Sequence, residues 1–208
     1  MDLINIKNLV FDLGGVIIDL HINATLDEFS RLSGKKQEEI KGSYFGPDFF
    51  HKYEKGLISN GEFKQALSDL LDISVSDDML ERAWNMMLGK INPVRVETLR
   101  KLADEYNLLL LSNTNEMHEQ AFNDILYQSC SVKTMHEIFH KVYYSHEIHM
   151  RKPDEDIFLH VLEDNGIEAH ETLFLDDMVE NLKTASRLGI NTFHVTSPDV
   201  WVERINGR

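Results

Sequence analysis

Five short apolar runs punctuate the chain, at 7–13, 108–112, 142–145, 172–175 and 191–195. They are dense in Leu, Val and Phe and show little polar alternation, which predicts strands buried on both faces, as in a parallel sheet. The segments between them repeat at helical spacing. In 93–106, Val96, Leu99, Leu102 and Ala103 share one face. Strands alternating with helices predict an α/β fold with a doubly wound parallel sheet. The stretch 23–89 breaks this rhythm. It holds no strand pattern but several helical ones, notably 59–71 and 76–88, and Ser59 with Glu62 three residues later forms a capping-box spacing ahead of Phe63. This predicts a helical cap inserted after the first strand, over the sheet's carboxyl edge, with 1–20 and 90–208 as core and 21–89 as cap. The alternative is a thicker helical layer within one domain. No internal repeat, low-complexity tract or Pro/Gly-rich linker is visible.

Polar residues gather where the runs stop. The first ends in Asp12 before Leu13-Gly14-Gly15-Val16, a carboxylate at the lip of the sheet with glycines that let a ligand approach the backbone. The second leads into Ser112-Asn113-Thr114-Asn115, where a hydroxyl, an amide and the amides of a following helix suit phosphate oxygens; an ordinary polar turn has the same composition. Further on, Arg151-Lys152-Pro153 precedes Asp154-Glu155-Asp156. Pro153 suits the first position of a helix and the acids suit its dipole, so Lys152 stands at the helix start, facing solvent or the sheet edge. The run at 172–175 leads into Asp176-Asp177. Two adjacent carboxylates there repel unless a cation or donor compensates, and such hard oxygens suit Mg²⁺, although Asp177 also suits an N-cap. Open parallel sheets bind ligands beyond their carboxyl ends, so these residues converge on one crevice.

In this order, Asp12, Ser112, Lys152-Pro153 and Asp176-Asp177 resemble the motifs of the haloacid dehalogenase superfamily, specifically its phosphatases with a small helical cap. Phe11-Asp12-Leu13-Gly14 and the segment 50–59 look like the sugar-phosphatase-like proteins related to bacterial α-glucose-1-phosphate phosphatase. The resemblance implies a Rossmann-like core and a Mg²⁺-dependent phosphatase for a small phosphorylated metabolite, such as a sugar phosphate, with Asp12 forming an aspartyl-phosphate. It also implies Mg²⁺ bound by Asp12, the Gly14 carbonyl and Asp176, with Asp177 beside them. Ser112, Asn113 and Lys152 would hold the phosphoryl oxygens, Lys152 also offsetting the charge of Asp12. The chain departs from the pattern at Gly14, where family phosphatases usually carry an Asp to protonate the leaving oxygen. A positioned acid is worth roughly 10²–10⁴ in rate. A water held by the cap, Asp19 or His21 are candidates to replace it. Asp19 equally suits a hinge cap, and His21 a solvated loop.

In the cap, His51, Lys52, Tyr53 and Glu54 are candidates for substrate selection, with Phe49 and Phe50 as apolar centre. His146 and His149 read as too scattered for a metal site. A formal net charge of −14 argues against a nucleic-acid partner, which would draw on clustered Lys and Arg. The single cysteine, Cys130, excludes an intrachain disulfide. No apolar run approaches the ~20 residues of a membrane span, and the first residues lack a signal-peptide pattern, so a cytoplasmic monomer or weak dimer is expected. Two other readings stay open. One is a phosphate-binding or regulatory protein without turnover; the other is a 2-haloacid dehalogenase, which uses the same Asp nucleophile without metal.

Overall fold

A computed structural model describes residues 3–44 and 48–207. In chain order the strands are β1 (Asn8–Phe11), β2 (Ile18–Leu20), β3 (Leu88–Ile91), β4 (Asn107–Ser112), β5 (Lys141–Tyr144), β6 (Thr172–Asp176) and β7 (Asn191–His194). The helices are α1 (Ile22–Ser33), α2 (Gln37–Tyr44), α3 (Asp48–Glu54), α4 (Asn60–Leu71), α5 (Asp77–Asn85), α6 (Pro93–Ala103), α7 (Glu116–Cys130), α8 (Ser145–Ile148), α9 (Glu155–Asn165), α10 (Val179–Arg187) and α11 (Val200–Asn206). None of these helices is long and apolar enough to cross a membrane.

All five expected strands form one parallel sheet in the order β5-β4-β1-β6-β7. Successive residues of a strand face opposite sides. Leu9 and Phe11 therefore pack with Leu110 and Leu175 on one side, together with Val96 and Leu99 of α6 and Phe122 of α7. Val10 turns the other way, with Leu109 and Phe174, against Ile157 and Phe158 of α9 and Leu182 of α10. Helices on both faces explain why the central strands β1, β4 and β6 are buried along almost all their length, whereas the edge strand β7 is largely exposed. β1 lies between β4 and β6, so the strand order reverses there and opens a crevice at their carboxyl ends. Phe11 is in register with both Leu110 and Leu175. The three strand ends are thus level, and the Asp12 amide donates to the Leu175 carbonyl at 2.9 Å.

After Asp12 the chain turns sharply: the amides of Ile17 and Ile18 both donate to the Leu13 carbonyl, and Gly15 takes a φ of 67° that a side chain would resist. The turn leads into β2, which pairs antiparallel with β3. This ribbon corrects the expectation that 23–89 holds no strand, since β3 starts at Leu88. The helix expected over 76–88 accordingly ends at Asn85. Leu88-Gly89-Lys90-Ile91 is short, and its partner lies far back in the chain, so no periodicity within a local window marks it.

Between β2 and β3 run α1 to α5. Phe29, Phe63, Leu67, Leu80 and Trp84 form a second apolar cluster there, joined by Phe50, by part-buried Phe49 and by Met117 of α7. The Tyr53 and Phe63 rings stack at 4.0 Å. Local signals set the helix starts. Ser59 accepts from the Glu62 amide while Glu62 accepts from the Ser59 amide, the expected capping box, and Ser76 caps α5 through the Met79 amide.

Candidate active site

Lys152 organises the crevice. Its side chain is 1% exposed, and its ammonium reaches Asp12 Oδ1 at 2.9 Å, Asp176 Oδ2 at 2.7 Å and the Leu111 carbonyl at 2.9 Å. An ammonium has three N–H groups, and all three are thereby used. Burial alone would lower its pKa, but the two carboxylates outweigh burial and hold it above its ordinary value, so it stays charged. Asn113 fixes the backbone at this point: its Oδ1 accepts from the Lys152 amide at 2.9 Å and its Nδ2 donates to the Lys152 carbonyl at 2.8 Å.

Burial pushes the Asp12 carboxyl up to about 7; Lys152 opposes the rise and Asp176 adds to it. Asp176 is fully buried. Its Oδ1 accepts from the Met178 amide at 2.7 Å, and Asn181 Nδ2 lies 3.0 Å from both of its oxygens. Burial, and then Asp176, also raise Asp177. Oxygens of Asp12, Asp176 and Asp177 lie within 4.8 Å of one another. Three carboxylates facing one ammonium leave negative charge uncompensated in a buried place, and an all-oxygen donor set of this kind fits a hard divalent cation.

Beside this centre lies a cavity of about 180 Å³. The sheet edge contributes Gly14, Ser112 and Asn113, and the helical segment contributes Glu54, Trp84 and Met87. Ser112 is 2% exposed, and its hydroxyl has only a 3.5 Å contact to the Asn113 carbonyl, which leaves it available to a ligand. Thr114 is held by a reciprocal pair of bonds with Ser145. Asn115 caps α7 through the His118 amide.

Of the residues expected at the site, Asp12, Gly14, Ser112, Asn113, Lys152, Asp176 and Asp177 all come to this edge, with several differences in detail. Pro153 does not begin the following helix; Asp154 holds the N-cap position of α9, directly ahead of Glu155 and Asp156 in its first turn. Asp177 is not the cap of α10: Met178 holds the N-cap position, and its amide donates to Asp176. The Asn113 amide group is committed to Lys152 at both its ends. Asp19 accepts from Arg95 at 2.8 Å and, with His21, lines a neighbouring depression that Gly15 and Asp177 also line, not the cavity beside Gly14 and Ser112. Among His51, Lys52, Tyr53 and Glu54, only Glu54 lines the cavity. Lys52 pairs with Asp48, and the Tyr53 hydroxyl donates to Asn60. His146, expected to stand apart, lies 3.1 Å from Glu119, with Glu147 close by, at the edge of a more open depression. His149 Nδ1 lies 2.8 Å from the Lys55 carbonyl.

Sequence reasoning missed Asn181, His118 and Arg95. Asn181 interrupts the buried stripe of α10 marked by Leu182 and Ala185, and a polar residue on such a stripe was the available signal. His118 stacks on Trp84 at 4.7 Å, and burial pushes its pKa down to about 4. Arg95, 3% exposed, donates to Asp19, Asp199 and the Ile17 carbonyl.

A family model described as a haloacid dehalogenase-like hydrolase matches residues 6–189. The D-ribitol-5-phosphate phosphatase of Bacteroides thetaiotaomicron is 27% identical over 206 residues, covering 96% of this chain and 97% of that protein. A HAD family enzyme from the same organism, solved in complex with magnesium and inorganic phosphate, is 35% identical with a TM-score of 0.80, over 91% of this chain and 93% of that one. A predicted HAD-like family hydrolase from Porphyromonas gingivalis is 31% identical with a TM-score of 0.86, over 97% of each chain.

Proposed function

Because the chain belongs to the haloacid dehalogenase-like hydrolases, we propose that it is a Mg²⁺-dependent phosphatase that hydrolyses a small phosphorylated metabolite, a sugar or polyol phosphate, through an aspartyl-phosphate on Asp12. The observation that carries this reading is the buried Asp12–Lys152–Asp176 cluster at the strand-order reversal, with a small cavity beside it lined by Leu13, Gly14, Ser112 and Asn113. The relatives named for phosphatase activity and for bound magnesium and phosphate support it.

In this reading Asp12 attacks phosphorus in line. A carboxylate-oxygen–phosphorus bond forms as the ester P–O bond breaks, and water then cleaves the acyl phosphate. Lys152 opposes the rise that burial forces on Asp12, favouring the carboxylate that attacks, and offsets the negative charge gathered on the phosphoryl oxygens. Because its three N–H groups are already placed, contact with the phosphoryl group means exchanging one protein acceptor for a substrate oxygen. Ser112 supplies a hydroxyl, and Asn113 holds Lys152 in place. Asp12, the Gly14 carbonyl, Asp176 and Asp177 would hold Mg²⁺, which when bound neutralises phosphoryl charge. Residues 21–89 act as the cap that closes the leaving-group side. Gly14 supplies no acid, so leaving groups that need protonation react more slowly than activated ones.

The test is phosphate release from a panel of metabolite phosphates and p-nitrophenyl phosphate with Mg²⁺. Activity lost on chelation, and reduced roughly 10³-fold or more in Asp12→Asn, supports the reading. Full activity in Asp12→Asn, or binding of phosphate esters without turnover, sinks it.

A further inference from the structure

Among the described residues, the cavity wall carries one carboxylate side chain, Glu54 at the end of α3. Its Oε2 accepts from Arg151 Nε at 2.9 Å, and no partner holds its Oε1 among the described residues. Arg151 itself does not line the cavity and precedes Lys152 in the chain, so one short segment anchors both the catalytic ammonium and this carboxylate. The other polar groups of the wall are neutral. His118 is uncharged at neutral pH because of its burial, with Nδ1 at 3.2 Å from Asn115 Nδ2 and Nε2 at 3.4 Å from the Trp84 carbonyl. Trp84, Met87, Leu20 and Leu88 make up much of the remaining wall. Neither His51 nor Lys52 lines the cavity, so the neighbouring cationic positions of α3 offer nothing to a second anionic group.

Resting on the phosphatase reading, we propose that Glu54, oriented by Arg151, selects leaving groups that are neutral and bear hydroxyls, and rejects those that carry a second negative charge. An ionised carboxylate is an acceptor only, so it is satisfied by hydroxyl donors. It repels a carboxylate or second phosphate, and more strongly in a small, partly dry cavity than in water. Arg151 pairs with Glu54 without lining the cavity, so the charge on the wall is negative. The apolar walls take the carbon chain. A volume of about 180 Å³ is below the ~300 Å³ where drug-sized sites begin, which confines the leaving group to a few carbons.

The experiment compares kcat/KM for ribitol 5-phosphate and 3-phosphoglycerate in wild type, Glu54→Gln and Glu54→Lys, with Mg²⁺ present. The ratio of the two is the readout, because a partly misfolded preparation scales both alike. Wild type is expected to favour the polyol ester by about tenfold to a hundredfold. Glu54→Gln should shrink that ratio by about tenfold, mainly through KM, and Glu54→Lys should bring it to unity or invert it. A ratio unmoved in both variants overturns the proposal, as does wild type that hydrolyses 3-phosphoglycerate as readily. Equal kcat losses on both esters, with p-nitrophenyl phosphate spared, would make Glu54 a proton donor and also overturn it. Wild type that releases no phosphate even from p-nitrophenyl phosphate sinks the phosphatase reading, and the proposal with it.

Discussion

The side chain of Leu20 stands where a side chain at Gly14 would begin: a Cβ at Gly14 would lie 2.8 Å from Leu20 Cδ1. The position usually given to an acid is therefore occupied from the neighbouring ribbon as well as lacking its own carboxylate. Gly14→Asp alone should destabilise by about 1–3 kcal/mol through overpacking unless Leu20 swings aside. Gly14→Asp with Leu20→Ala should raise turnover of an alkyl phosphate relative to p-nitrophenyl phosphate by about tenfold to a hundredfold. Thermal unfolding and the ratio of the two rates check the pair; an unchanged ratio means the acid is supplied elsewhere.

Asn181 braces Asp176 with one amide group placed 3.0 Å from both carboxylate oxygens. Asn181→Leu keeps the volume but releases the carboxylate to rotate. Groups that orient ligating carboxylates are typically worth about 10–100-fold in metal affinity. A shift of that size in the Mg²⁺ concentration for half-maximal activity is expected.

His118 should give the protein an acid-sensitive stability. Its pKa is pushed down to about 4 in the folded state, while an unfolded histidine titrates near 6.5. Between these values the unfolded chain binds the extra proton, so stability falls as pH drops below about 6.5 and levels off below about 4. The steepest slope this one group can add is about 1.4 kcal/mol per pH unit. His118→Phe keeps a ring against Trp84 but removes the proton site. Denaturant midpoints at pH 5 and pH 7 should lie closer together in the variant than in wild type.

Arg95→Met should cost about 1–3 kcal/mol. The buried guanidinium ties the Ile17 carbonyl, Asp19 and Asp199 together, but Asp19 and Asp199 are 31% and 55% exposed, so solvent screens part of each ion pair. Arg95→Lys should not recover the loss, because a compact ammonium does not reproduce the planar fork that spans these three acceptors. Urea midpoints of the two variants test this.

Asp12, Ser112 and Asp176 were legible because each breaks or follows an apolar run where a parallel strand must stop, and Lys152 because Pro153 and three acids follow it as at a helix start; sheet topology then brings these ends together. What stayed hidden depends on distant partners. β3 is defined by pairing with β2, not by its own pattern. Pro153 suits a first helical position in general, but here Asp154 takes the N-cap. Asp177 looks like a cap, but α10 starts at Val179 and Met178 takes the N-cap position. Arg95 and the orientation of Glu54 are settled by contacts between elements far apart in the chain, on which local periodicity is silent.

The helical segment leaves the ribbon at Leu20 and returns at Leu88, and these two residues are paired across β2 and β3. Its ends therefore stand about 5 Å apart, as at the mouth of a hairpin. Topologically, residues 21–87 are an oversized hairpin loop, and the entropy of closing such a loop grows only logarithmically with its length. The parallel sheet keeps its register whatever the loop contains. An insertion mounted this way changes length or content without re-threading the sheet that carries the buried ammonium and its carboxylates.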